Sequence, residues 1–271
     1  MLHRSFLTSL ELIWKVWKRL KTMKTSDKLF IEADLHCHSL ASSHAYSTVM
    51  EMAAEAAKAG LKAFALTDHA MDMPDSPHVW HFHNISVIPQ KIDGVIVLRG
   101  VEANIRNFQG EIDMQGSDLD GIQWVVASCH LPVIKPGTVE ENTNAYINAI
   151  KNNPAIDVIG HCTASRYPVD FKKIASACKE YGVLVEINES SVQFKRSTAE
   201  SCIELLNACK KYQTPIVVNT DCHYAGIIGR TDVSQVLLEA ADFPDELIFN
   251  RDVQKVLEYV SKKRNIIFSE D

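Results

Sequence analysis

The sequence is short of several things. No run approaches about 18 uncharged apolar residues, so no membrane-spanning helix is expected. Positive charge is not in excess: 28 Lys and Arg face 34 Asp and Glu, a formal charge of -6. That balance argues against a surface that coats long nucleic acid by neutralising its phosphates. Cysteines number 7, an odd count, and no two form a Cys-x-x-Cys pair. A disulfide framework and a zinc ribbon are both disfavoured. Free thiols used as small buried hydrophobes suit a cytoplasmic setting. There is no Gly-x-Ser-x-Gly elbow and no phosphate-binding P-loop, so neither a serine nucleophile nor a nucleotide cradle is signalled. Low-complexity runs and internal repeats are absent as well.

What remains is ordinary bulk and one unusual residue type. The chain has 271 residues, 46% of them hydrophobic, enough for one large core. Short β-rich runs at 30–35, 62–66, 95–101, 124–128, 156–160, 183–187 and 215–219 alternate with helical patterns at 47–58, 170–181, 198–212 and 244–262. The β-rich runs are almost continuously apolar, as parallel strands buried on both faces are. Strand, helix, strand at this rhythm implies βαβ units. Seven strands fit a barrel or a doubly wound sheet, and either puts active residues at the carboxyl ends of strands. Residues 1–29 stand apart from the domain at 30–271. Leu7, Leu10, Ile13, Trp14 and Trp17 recur at helical spacing beside Lys15, Lys18 and Arg19. This predicts an amphipathic helix over 6–20 that packs on the domain, on a partner or on a membrane surface.

Histidine is abundant, with 11 residues, and it is not spread evenly. After the first predicted strand come Asp34, His36, His38 and then His44; after the second, Asp68 and His69; after the third, Glu102. His130, His161 and Asn188 follow the next three strands, and Asp221 and His223 follow the last. Strand ends of a closed parallel barrel converge on one mouth. Residues two apart on extended chain point the same way, roughly 6–7 Å apart, so His36 with His38, and Asp221 with His223, each present a pair. Imidazoles and carboxylates are ligands that zinc, manganese and iron accept. At about four or five ligands per metal, the set suits two or three ions with carboxylates bridging. Asp34 and Asp68, each near a histidine, are expected to accept from an imidazole and fix its tautomer. Cys37, Cys129, Cys162 and Cys222 adjoin these positions but alternate to the other face, where they are expected to pack against helices.

Together D-L-H-C-H (34–38), T-D-H (67–69), G-V-E-A-N (100–104), S-C-H (128–130), G-H (160–161) and T-D-C-H (220–223) resemble the PHP (polymerase and histidinol phosphatase) family. Segments 42–48, 78–84, 98–105 and 110–113 look like its stand-alone bacterial phosphatases with a trinuclear zinc site. The resemblance implies a distorted seven-stranded parallel (βα) barrel with the active site at the C-terminal strand ends. It implies that His36, His38, Glu102, His130 and Asp221 hold a close metal pair bridged by Glu102. His44, His69, His161 and His223 would complete the other positions. Three divalent ions follow, zinc first, with manganese or iron as alternatives. One departure is the loop after His161, C-T-A-S-R-Y, where the resembling phosphatases carry a Pro-Gly-Asn-type stretch. The expected reaction is hydrolysis of a small phosphomonoester by attack of a metal-bridging hydroxide. Asp68 or His81 would protonate the leaving group, and Arg106, Arg166 and Arg196 would grip substrate anions. Competing readings are a histidinol-phosphate phosphatase, a phosphodiesterase or exonuclease acting on nucleotides, a metal-dependent amidase, and a structural metal module.

Overall fold

A computed structural model describes residues 31–268; the helix predicted over 6–20 lies outside them. The strands are β1 (Ala33–Cys37), β2 (Ala63–Leu66), β3 (Lys91–Ile92), β4 (Val95–Asn104), β5 (Trp124–Ser128), β6 (Val158–Ile159), β7 (Leu184–Asn188) and β8 (Ile216–Asn219). The seven expected strands are present and pair in parallel in the order β1-β2-β4-β5-β6-β7-β8. The unforeseen β3 is a two-residue antiparallel partner of β4. Helices α1 (Val49–Ala59), α2 (Trp80–His83), α3 (Val139–Asn152), α4 (Phe171–Tyr181), α5 (Glu189–Gln193), α6 (Ala199–Tyr212), α7 (Asp232–Ala240) and α8 (Val253–Arg264) alternate with them. The result is a nearly closed (βα) barrel.

The seam between β8 and β1 is closed by one isolated backbone bridge and by side chains rather than by a full ladder. His38 N donates to Cys222 O at 2.9 Å, and Asn219 Oδ1 accepts from Leu35 N at 3.0 Å. Lower down, the buried Asn250 side chain donates to Ala33 O and Val218 O, both at 2.7 Å, and accepts from Val218 N. Each bond satisfies a buried backbone group that an open sheet edge would leave unpaired.

The register of β1 decides where its histidines point. Ala33 and Leu35 pack in the barrel interior, whereas Cys37 packs in the outer core under the helices. Strict alternation would put all three on one face. The pairing with β2 shifts between Asp34 and Cys37, and this irregularity turns His36 and His38 together towards the mouth. The other cysteines expected to face outward, Cys129, Cys162 and Cys222, are likewise buried in the outer core.

At the opposite end, α8 plugs the barrel. Val253, Val256, Leu257 and Val260 fall at helical spacing on one face and join Leu98, Trp124, Val126, Val158 and Val217 in the interior cluster. The helix predicted over 244–262 is therefore shorter than expected. Pro244 is followed by two 3-10 turns at 245–247 and 249–251. Asp252 then starts α8 by accepting from the backbone N–H of Gln254 and Lys255. Four helices were not anticipated, the short α2 and α5 and the longer α3 and α7. The strand expected over 156–160 shrinks to two residues in β6, because the side chain of Asp157 takes the amide of Val125 at 2.8 Å.

Candidate metal centre

The carboxyl ends of six of the seven parallel strands bring all nine expected residues into one mouth. Glu102, near the end of β4, lies at the middle and is almost wholly buried. Its Oε1 is 3.4 Å from His36 Nε2, 3.4 Å from His130 Nε2 and 2.9 Å from His161 Nε2. Its Oε2 is 2.8 Å from His69 Nδ1 and 3.6 Å from His38 Nε2. Asp221 Oδ1 is 3.2 Å from His38 Nε2 and 3.7 Å from His36 Nε2. The His223 ring lies 4.3 Å from that of His38 and 4.4 Å from that of His44. His44 is the outermost, half exposed.

Most of the rings are turned by a partner behind them. His36 Nδ1 donates to Glu186 Oε1 at 2.7 Å, His130 Nδ1 to Asn104 Oδ1 at 2.7 Å and His223 Nδ1 to Asp221 O at 3.0 Å. His38 Nδ1 is 3.4 Å from Ser42 Oγ. In each case Nε2 is left for the centre, the arrangement metal-ligating histidines use. The buried Nε2 atoms of His36, His38 and His223 and Nδ1 of His69 have no hydrogen-bond partner. Orphaned polar atoms inside a protein are costly. Here they gather in groups whose ligand atoms lie within 4.8 Å: His36–His38–Glu102, His38–His69–His223, His69–Glu102–His130 and His44–His69–Asp75. This donor set of imidazole nitrogens and carboxylate oxygens fits divalent metal ions.

The electrostatics agree. Burial alone would raise Glu102, but His130, His36 and His69 hold it well below the usual carboxylate range. Asp221 is likewise held well down, against burial, chiefly by His36 and the adjacent His38. Burial and the neighbouring His69 lower His38 to about 3. Burial also opposes charge on His36, but Glu186, Glu102 and Asp221 overcome it and raise the imidazole well above its ordinary value. A site that attracts a proton so strongly attracts a metal cation by the same field.

Two proposed ligands have left-handed backbone, His161 at φ +27° and Asp221 at φ +52°. Non-glycine residues rarely adopt this region, at a cost of about 1–3 kcal/mol each. His161 is held there by its own N–H, which donates to Glu186 Oε2 at 2.8 Å. Gly160 precedes it because any Cβ would stand 2.2 Å from Ser128 Oγ.

Several expectations need correction. Asp34 does not hold an imidazole: it accepts from Thr220 N, Thr220 Oγ1 and Gly229 N, and so anchors the loop that carries Asp221. Asp68 does not hold His69 either. It accepts from the backbone and hydroxyl of Ser39 and Ser42, and reaches His38 only through Ser42. Fully buried, it cannot itself touch a substrate. His81 Nε2 lies 3.4 Å from Asp68 Oδ2. Arg196 donates to Asp221 Oδ2 at 2.9 Å, and Arg166 is exposed on the adjoining loop, where Ser165 N donates to Arg196 O. Arg106 is turned to Asp72, with contacts of 2.5 and 2.8 Å.

Sequence reasoning missed Glu186 and Asp75. Glu186 sits in an otherwise apolar strand, V-L-V-E-I, and that lone carboxylate was the readable signal. Asp75 pairs with His44 across 31 residues, and nothing local marks it.

A parallel barrel whose strand ends surround buried, unpartnered imidazole nitrogens and two carboxylates defines a metal-dependent hydrolase. The PHP domain model matches residues 34–190. A probable phosphatase of Caldicellulosiruptor saccharolyticus is 42% identical over 232 residues, covering 86% of this chain and 97% of that one. Another, from Caldanaerobacter subterraneus, is 42% identical over 247 residues, covering 90% and 97%. The chain belongs to the PHP domain family. Among solved structures, histidinol phosphate phosphatase from Lactococcus lactis, complexed with zinc, L-histidinol and phosphate, shares the fold. Its TM-score is 0.60 at 19% identity, covering 79% of this chain and 94% of that one.

Proposed function

We propose that this protein is a metal-dependent phosphatase that releases phosphate from small phosphomonoesters, with three zinc ions held by His36, His38, His44, His69, Glu102, His130, His161, Asp221 and His223. The carrying observation is the set of buried ring nitrogens without partners around Glu102 and Asp221. Glu102 is suited to bridge, since its two oxygens face different groups of imidazoles. Asp75 joins His44 and His69 as a tenth donor. Bound there, divalent metals supply charge stabilisation for a transferring phosphoryl group and water made nucleophilic near neutral pH.

The chain's own residues do the rest. Arg196 places one guanidinium nitrogen on Asp221 and is about half exposed, so its remaining donors face the mouth for a phosphate oxygen. Arg166 stands on the next loop for the same task. Arg106 is turned to Asp72, which removes it from this role. His81, one quarter exposed, donates a proton to the leaving oxygen, and Asp68 behind it orients the ring. Burial pushes Asp68 up, but His81 and neighbouring donors bring it below its ordinary value, so it stays an anion and a positioner. The acidic balance of the chain remains at odds with a long nucleic-acid substrate.

The test is phosphate release by zinc-loaded protein from a panel of phosphomonoesters, with bis-ester and amide substrates alongside, and metal counted by elemental analysis. Two to three metals per chain and monoester turnover are expected. Fewer than one metal after metal-replete growth, or turnover of bis-esters or amides alone, overturns the proposal.

A further inference from the structure

The mouth carries a second pattern that the metal centre does not use. Among the described residues five aromatic side chains are exposed: Tyr46 at 73%, Trp80 at 72%, Phe194 at 70%, Tyr224 at 60% and Tyr181 at 41%. Four of the five lie on segments that follow the carboxyl ends of strands, β1 for Tyr46, β2 for Trp80, β7 for Phe194 and β8 for Tyr224. Only Tyr181, at the end of α4, is elsewhere. A clustering of exposed rings at one functional opening marks a binding surface.

The segments that carry three of these rings are firmly placed. Tyr46 N donates to His223 O at 2.8 Å. Tyr224 is the next residue after His223, and its ring lies on Gly226, where a Cβ would stand 2.6 Å from Cε1. Trp80 opens α2, a short helix anchored by the buried Phe82 and by His83, whose Nε2 is 2.9 Å from Asp118 Oδ1. His78 meets the indole edge-on, with centroids 5.2 Å apart. Strands β8 and β1 meet at the seam, and β2 is next to β1. Tyr224, Tyr46 and Trp80 therefore occupy one continuous arc of the rim. Arg166 follows β6 and Arg196 follows β7, the strand paired with β8. Arg196 donates to Asp221 Oδ2 at 2.9 Å, so the arginines adjoin the arc at its β8 end. The rim thus carries exposed rings over β8, β1 and β2, with the two arginines and Phe194 on the adjoining segments over β6 and β7.

We propose that the arc of Tyr46, Trp80 and Tyr224 is a leaving-group subsite that takes a planar aromatic ring on the alcohol side of the phosphomonoester. This rests on the phosphatase reading above. Flat faces presented at a rim reward flat ligands by stacking, whereas an aliphatic group of the same size gains only area. The adjoining arginines take the phosphoryl oxygens or a further anionic group.

A matched pair of substrates isolates planarity: benzyl phosphate and cyclohexylmethyl phosphate have similar size and primary alcohol leaving groups. The expected kcat/KM favours benzyl by about tenfold, mostly through KM. Trp80→Ala and Tyr224→Ala should each cut the benzyl-to-cyclohexylmethyl ratio by about fivefold, while Tyr181→Ala leaves the ratio unchanged. Equal kcat/KM for the two in the parent protein, or equal losses for both in the variants, overturns the subsite. Calorimetric binding of benzylphosphonate against cyclohexylmethylphosphonate to the zinc-loaded protein reads the same preference without turnover. If neither ester is hydrolysed but the benzyl analogue binds more tightly, the phosphatase reading falls and the aromatic subsite stands. If Trp80→Ala abolishes a dimer seen by sedimentation and leaves the ring preference intact, the rim is a self-association face and the subsite is wrong.

Discussion

The two ends of the barrel both bury carboxylates and treat them in opposite ways. At the plugged end, Asp157 accepts from Val125 N at 2.8 Å, Tyr259 OH at 3.0 Å, Lys263 Nζ at 2.7 Å and Arg264 at 2.6 Å. Every contact is a donor supplied by the chain itself, so the cluster is complete. At the mouth, Glu102 and Asp221 are surrounded by imidazoles, and the inward nitrogens of His36, His38, His69 and His223 find no hydrogen-bond partner. Both clusters are buried and charged, and burial alone does not tell them apart. Completeness does. A cluster that satisfies its own charges fastens one element to another, here α8 to the barrel floor. A cluster that leaves lone pairs converging on anions is built for a cation from outside.

This contrast can be broken in several ways. Glu102→Ala should have the largest effect, removing the shared carboxylate and cutting turnover by about 10³-fold or more. Elemental analysis should show at least one metal lost while circular dichroism stays native; full metal content in an inactive variant would contradict the bridging role. Asp157→Ala should do the reverse. Two cations lose their anion, costing about 3–5 kcal/mol of stability, read as a lowered urea midpoint with metal content unchanged.

Glu186→Gln is subtler. The carboxylate takes four donors, from His36 Nδ1, Asn219 Nδ2, His161 N and Asn188 Nδ2, and an amide must turn its own donor towards one of them. Metal retention against a chelator should weaken by about 10–100-fold, whereas unchanged retention would reduce Glu186 to a packing residue. The smallest effect is expected at Cys37. Burial pushes its thiol far up, so it is neither nucleophile nor thiolate ligand. Cys37→Ala should keep kcat/KM within about twofold, and a large loss there would reopen a sulfur role.

How much of this could be read from the sequence follows from where the information sits along the chain. The barrel was legible because each buried parallel strand is a short apolar run, and β5 begins and ends where its run does. The proposed metal ligands were legible because each lies at a strand end or follows one, so topology alone brings them together. The supporting residues were not. Asn104 and Asp113 form a relay behind His130, with Asn104 Nδ2 donating to Asp113 Oδ2 at 2.6 Å, yet each is an unremarkable polar residue in its own segment. Asn250, which closes the seam, has no local signature at all. Helix α3 escaped notice because its buried residues Ala145, Tyr146, Ala149 and Ile150 are few among polar ones. Its readable mark was the capping box of Thr138 and Glu141. Helix α8 was overextended because periodicity continues through 244–251, and only the capping preference of Asp252 separates the turns from the helix.

The plug formed by α8 has a consequence for traffic. With Val256 and Val260 fully buried in the barrel's lower end, that end is closed among the described residues, and the site is reached from the mouth. Whatever enters as an ester must leave as two products by the same opening. On the proposed geometry the alcohol would lie nearer the rim and phosphate nearer the metal ligands. Free phosphate and fresh ester would then compete for one site, and added inorganic phosphate is expected to slow turnover.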